Sequence, residues 1–157
     1  MKGAPYSLNS TSKPDMPRAA ESIQFFSDNI PFVLPSKTEV RTWLYRVAKQ
    51  HKKTIGEISY IFVSDEQLLL MNQQFLQHDT FTDIISFDST EGSTLSGEFY
   101  ISIDRVRDNA RSFGVPVRDE LHRVMVHGLL HLCGFKDKRA KEVAEMRKQE
   151  EKALALR

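Results

Sequence analysis

Val40, Trp43, Leu44 and Val47 recur at intervals of three and four, the period of one helix face, and predict a helix over about 37–53 with Ser36 placed to cap it. Leu68, Met71, Phe75 and Leu76 repeat the pattern, opened by the Ser64-Asp65-Glu66-Gln67 capping-box signature and expected to run to about Gln77. A third helix is expected from Asp104, as its cap, to Phe113, closed by Gly114. The most apolar segment, 117–133, carries Leu121, Val124, Met125, Leu129, Leu130 and Leu132 on more than one face, which predicts a central helix stopped by Gly134. A charged helix over 140–156 ends the series. Between these, 58–63, 82–87 and 97–103 are rich in β-branched and aromatic residues and read as strands, with shorter extended pieces at 22–26 and 32–34 around an Asp28-Asn29 turn. Strands and helices mingled in this order predict an α+β domain: a small mixed four-stranded sheet packed with about five helices.

Composition narrows the class. At 40% hydrophobic and 27% charged residues the chain has the makings of one buried core, and disorder, collagen and low complexity are excluded. No internal repeat is visible, and no apolar run approaches the roughly 18 residues of a membrane helix. The polar segment 1–15 reads as a flexible extension, leaving 16–157 as the domain, and it lacks the apolar core of a signal peptide. The lone Cys133 leaves no disulfide framework and fits a reducing cytoplasm, where the protein is expected to reside.

The chemistry concentrates in His127-Gly128-Leu129-Leu130-His131-Leu132-Cys133-Gly134-Phe135-Lys136-Asp137. One helical turn separates His127 from His131, so both rings project from the same face and can share an ion. Gly134 can reverse the chain and return Asp137 over them. Two imidazoles and one carboxylate leave a fourth position on Zn²⁺ for water, the pattern of a catalytic site. His122 is about 140° around the helix from His127 and faces elsewhere, while His51 and His78 read as solvated. Long-motif zinc proteases share the spacing, but they place their Glu base directly after the first His, where this chain has Gly128.

The run His-Gly-x-Leu-His-Leu-x-Gly-aromatic is similar to the signature of the YbeY family, metal-dependent endoribonucleases of bacterial ribosomal RNA maturation. Asn72 to Phe87, with Asp79 and Thr82-Asp83-Ile84-Ile85-Ser86-Phe87, resembles that family's Asn…Asp…Thr-Asp-Val-Leu-Ser-Phe block. Gly97-Glu98-Phe99-Tyr100-Ile101-Ser102 resembles its Gly-Asp-Ile-x-Ile-Ser strand, and Glu142, Met146 and Glu150 its ending. The resemblance implies a compact α+β domain with a zincin-like metal helix and one Zn²⁺. It also implies single-strand-specific cleavage of RNA in small-subunit ribosomal RNA 3′ maturation and ribosome quality control. Ribosomal proteins or a GTPase are implied as partners by the same resemblance alone. Two positions depart from the family: Asp137 stands where its third His falls, and Leu76 where an Arg contacts RNA phosphate.

With 22 Lys and Arg against 21 Asp and Glu, the net charge of +1 supplies no global attraction for RNA, so any contact must be local. Residues 54–104 hold nine acids and no Lys or Arg, whereas 37–53 carries six basic residues against Glu39. Arg41, Arg46, Lys49 and Lys53 recur at near-helical spacing and are the expected phosphate-tracking stripe, with a solvated helix face as the alternative. Arg105, Arg107, Arg111, Arg118 and Arg123 are interleaved with acids and are expected to pair locally. A metal-dependent endoribonuclease is the leading reading. Its rivals are a non-catalytic ribosome-associated factor with a structural metal, a zincin-like peptidase, and a plain α+β domain whose histidines belong to the core.

Overall fold

The computed structural model describes residues 23–76 and 82–157, the side chain of residue 76 excepted. The proposed boundary at residue 16, Asp79 and His78 lie outside those residues. The elements run β1 (Ile23–Ser27), α1 (Lys37–Gln50), β2 (Thr54–Val63), α2 (Asp65–Met71), β3 (Ile84–Asp88), β4 (Thr94–Ser102), α3 (Ile103–Phe113), α4 (Val117–Leu132) and α5 (Ala140–Leu154). One four-stranded sheet has the order β1-β2-β4-β3, with β1, β2 and β4 parallel and β3 antiparallel to β4. Among the described residues, five α-helices on a mixed sheet make the expected α+β architecture.

Two-residue alternation splits the core across the sheet. Ile58, Tyr60 and Phe62 of β2 and Phe99 and Ile101 of β4 face the larger cluster, built with Trp43, Leu44 and Val47 of α1 and Met125, Leu129 and Leu130 of α4. Ile61, Val63 and Tyr100 face the other side, under Leu68 and Met71 of α2. Helix α4 approaches the sheet closely. A Cβ on Gly128 would lie 2.7 Å from Cε1 of Phe99 and 3.0 Å from Cδ1 of Ile84. Tyr60 Oη donates to the Met125 carbonyl at 3.0 Å, and Trp43 Nε1 donates to that of Ala153 at 2.8 Å, so α4 and α5 are each pinned by a buried aromatic donor.

Several boundaries differ from the sequence expectation, each for a local reason. Ser36 sits in the left-handed region at φ 57° and its side chain makes no cap bond, although its carbonyl still receives Val40 N–H at 3.0 Å. Helix α1 stops at Gln50, because the chain reverses through Lys52 at φ 59° to enter β2. Ser102 caps α3 instead of Asp104, its Oγ accepting from Arg105 N–H at 3.0 Å, while the Asp104 carboxylate accepts from Asp65 N–H. The second helix leaves α geometry at Met71 and continues as a five-residue π-helical stretch, Asn72–Leu76. Residues 32–34 form no strand, but Phe32 packs edge-on against Phe62. The Ser64 cap of α2 and the left-handed Gly114 closing α3 at φ 68° are as expected.

His122 faces away from His127, as expected, and packs beside Trp43 with its Nδ1 3.0 Å from Arg157 Nη1. Burial, then the charges of Arg157 and Arg118, push its pKa down to about 4. His51 is not fully solvated; it packs edge-on against Phe135, and burial followed by Lys152 and Lys53 lowers its pKa. Among the described residues no helix is long and apolar enough to cross a membrane.

Gly128→Ala forces a methyl into the Phe99 ring, so the net loss after helix propensity is counted should be about 1–2 kcal/mol in a denaturant titration. His122 takes up protons more readily unfolded than folded, so stability falls as pH drops from 6.5 towards 4. His122→Gln should remove roughly 2–3 kcal/mol of that dependence, read as a flatter curve of unfolding free energy against pH.

Candidate metal centre

Glu120, Arg123, His127 and His131 of helix α4, spaced three, four and four apart, form one polar stripe along it. Its upper end forms the site. His127 Nε2 and His131 Nε2 lie 3.1 Å apart, and Asp137 Oδ2 is 3.2 Å from the first and 3.4 Å from the second. Helix α4 ends at Leu132, and Gly134 turns the chain at φ 108°, a conformation that L side chains rarely adopt, which brings Asp137 back over the rings. The expected triad is therefore assembled by the expected device.

The donor set fits a cation. Ligands about 2.0 Å from a tetrahedral ion are separated by about 3.3 Å, close to all three edges of this triangle. His127 Nε2, His131 Nε2 and the Asp137 carboxylate converge on one point from three sides. These side chains are half-buried, and among the described residues no fourth His, Cys, Asp or Glu joins the group. Cys133 stays apart, and burial pushes its thiol up to about 11.

The lower part of the stripe holds the first ring in place. Glu150, on α5, sets Oε2 2.6 Å from His127 Nδ1. Burial alone would raise the Glu150 pKa; the His127 hydrogen bond and the Arg123 charge outweigh it and lower the pKa. An ionised carboxylate only accepts, so Nδ1 carries the proton and Nε2 is left as the ligand. Arg123 in turn grips Glu150 at 3.1 Å and, with two nitrogens, Glu120 at 2.7 and 2.9 Å. Burial opposes the charge of Arg123, but these two carboxylates raise its pKa all the same. Asp83 completes the group, 3.7 Å from Arg123 and within 3.4 Å of Asn109 Nδ2. Burial raises the Asp83 pKa against the opposing charges of Arg123 and His127.

The sequence pointed to His127, His131 and Asp137, which the structure brings together, but not to these supports. Arg123 and Glu120 do pair locally, but their pairing leads to the metal helix. The signal was the polar stripe on α4 and the Glu150 already visible in the terminal block. The basic stripe is placed differently: Arg41 Nε donates to the Ile23 carbonyl at 2.9 Å beneath the Phe25 ring, and Arg46 Nη1 to that of Leu156 at 2.7 Å. Lys49 on α1 and Lys53 beyond its end form no ion pair with a described acid. Gly128, where a protease would keep its base, faces the sheet, so no side chain there could reach a substrate.

Residues 27–156 match the family model described as Endoribonuclease YbeY. The chain belongs to the YbeY family. It is 51% identical to a YbeY endoribonuclease of Cytophaga hutchinsonii over 87% of this chain and 96% of that one. It is 50% identical to that of Christiangramia forsetii over 85% and 93% of the two chains. A solution structure of a Thermotoga maritima protein superposes with a TM-score of 0.62 at 27% identity, covering 85% of this chain and 87% of the other. In this YbeY chain the carboxylate of Asp137 meets both His127 and His131.

Glu150→Ala should weaken Zn²⁺ binding by about 10–100-fold in a chelator competition, with Glu150→Gln, which keeps an acceptor for Nδ1–H, falling between it and the unaltered protein.

Proposed function

We propose that the protein is a single-strand-specific endoribonuclease that uses Zn²⁺ at His127, His131 and Asp137 to mature the 3′ end of small-subunit ribosomal RNA and to clear defective ribosomes. The single observation that carries the reading is a triangle of two imidazoles and one carboxylate that could hold a metal, in a chain of an endoribonuclease family. A structural metal would close its fourth position with protein. Hydrolysis of RNA phosphodiesters is the reaction class that the family membership supports.

A divalent ion held at this triangle supplies positive charge to a phosphodiester oxygen and acidifies water. The chain does the rest. Glu150 keeps the proton on His127 Nδ1 and the ring at one angle, so the donor atom does not have to be reorganised during reaction. Arg123 keeps Glu150 ionised in a buried site. Asp137 and His131 form the exposed rim, with side chains 36% and 32% accessible against 17% for His127, so substrate approaches from their side. The Asp83 carboxyl, 3.7 Å from Arg123, has its pKa raised by burial.

RNA within the ribosome is the proposed partner, and the cytoplasm the proposed compartment. Arg41, Arg46, Lys49 and Lys53 belong to the reading as a basic flank of α1. Two of them are tethered to backbone carbonyls, which leaves Lys49 and Lys53 as its free cations.

Purified protein loaded with Zn²⁺ should cleave single-stranded RNA and leave a duplex of the same sequence intact. His127→Ala should reduce the rate at least 100-fold while the far-ultraviolet circular dichroism is kept. Equal cleavage by the two forms would overturn the proposal.

A further inference from the structure

Four cations bracket the third ligand. Lys136, Lys138, Arg139 and Lys141 lie within six residues around Asp137, and all four are exposed. None forms an ion pair with a described acid. Several other arginines are engaged: Arg105 with Asp65, Arg111 with Asp108, Arg123 with Glu120 and Glu150, and Arg157 with Asp119, while the exposed Arg107, Arg118 and Arg147 lie on helices away from the Asp137 loop in sequence. Arg41 and Arg46 are spent on carbonyls. Building on the endoribonuclease reading, we propose that Lys136, Lys138, Arg139 and Lys141 form the phosphate-binding surface of the metal centre, so that a single RNA strand is gripped at the loop that carries Asp137.

The loop is built to hold these charges still. Gly134 N–H donates to the His131 carbonyl at 2.9 Å, and Phe135 N–H to that of Leu130 at 3.1 Å, which fastens its start to α4. Lys138 and Arg139 N–H groups both donate to Glu142 Oε1, at 3.1 and 3.0 Å, which fastens its end to α5. A fixed backbone spares the strand the cost of ordering it on binding. The same two bonds place a carboxylate of the protein itself at the α5 N-terminus, so a phosphate is met by side chains there and not by free backbone donors.

Charge elsewhere makes the approach one-sided. Between 54 and 104 there is no Lys or Arg, and Glu57, Glu66, Asp88, Glu91 and Asp104 are exposed. A phosphate backbone is repelled from these exposed acids and drawn to the loop that carries Asp137. Because Lys136 and Lys138 are the immediate chain neighbours of a metal ligand, phosphates seated on them flank the position where the ion acts. Free, exposed ammonium and guanidinium groups are also those whose binding releases counterions from RNA, which gives the surface a measurable signature.

The test is fluorescence anisotropy of a labelled oligouridylate of about 12 nucleotides on the Zn²⁺-loaded full chain, over a salt series. The variant Lys136→Gln/Lys138→Gln/Arg139→Gln/Lys141→Gln should bind at least tenfold more weakly at low salt. Its plot of log affinity against log salt should be shallower by about 2–3, four contacts at roughly 0.7 each. Its zinc content and thermal midpoint should match the unaltered protein, since Asp137 is kept. An unaltered protein that binds and cleaves RNA, together with a loop variant that keeps the full slope, overturns this surface and leaves the endoribonuclease reading standing. An unaltered protein that neither binds nor cleaves overturns both.

Discussion

Everything at the metal centre depends on a buried chain of charges: Glu120 and Glu150 on either side of Arg123, and Glu150 in turn on His127. Glu120 and Glu150 have side chains only 2% and 3% accessible. Burying such groups is tolerable only because each lone pair and proton finds a partner. The chain joins α4 to α5, so the contact that docks the last helix also aims the first ligand. Stability and site geometry are thus coupled through one arginine.

A second constraint acts on the opposite face of α4. Gly128 lets the helix backbone press against Phe99 and Ile84, and Tyr60 ties the Met125 carbonyl to the sheet. The helix is held from below by packing and from the side by Glu150, which leaves His131 and Asp137 free to face solvent. Close approach at Gly128 also explains why this zinc-helix spacing cannot do protease chemistry here: the position that carries the base in that class points into the core. The same ligand spacing therefore serves a different reaction because one residue is turned inwards.

The periodicity of Val40, Trp43, Leu44 and Val47, and the apolar wrap of 117–132, made the helices legible, because burial of a helix face repeats every three or four residues. Boundaries were less legible. Ser36 and Asp104 both look like caps by residue type, yet capping depends on the backbone angles at that residue, which the path into the sheet dictates: Ser36 is left-handed, and Ser102 comes first at the end of β4. Likewise β2 and β4 begin earlier than their β-branched runs, at Thr54 and Thr94, since pairing with each other extends both strands.

By itself the sequence determined the α+β class, the His127–His131 pair and its Asp137 partner, since all three follow from local rules: helical spacing and a glycine reversal within eleven residues. Only the tertiary structure decided that Glu150 would reach His127 from 23 residues away, that Arg123 would join the site, and that Arg41 and Arg46 would turn to backbone carbonyls. These are contacts between elements, set by how helices settle on the sheet. No periodicity within one segment encodes where another segment's side chain will arrive.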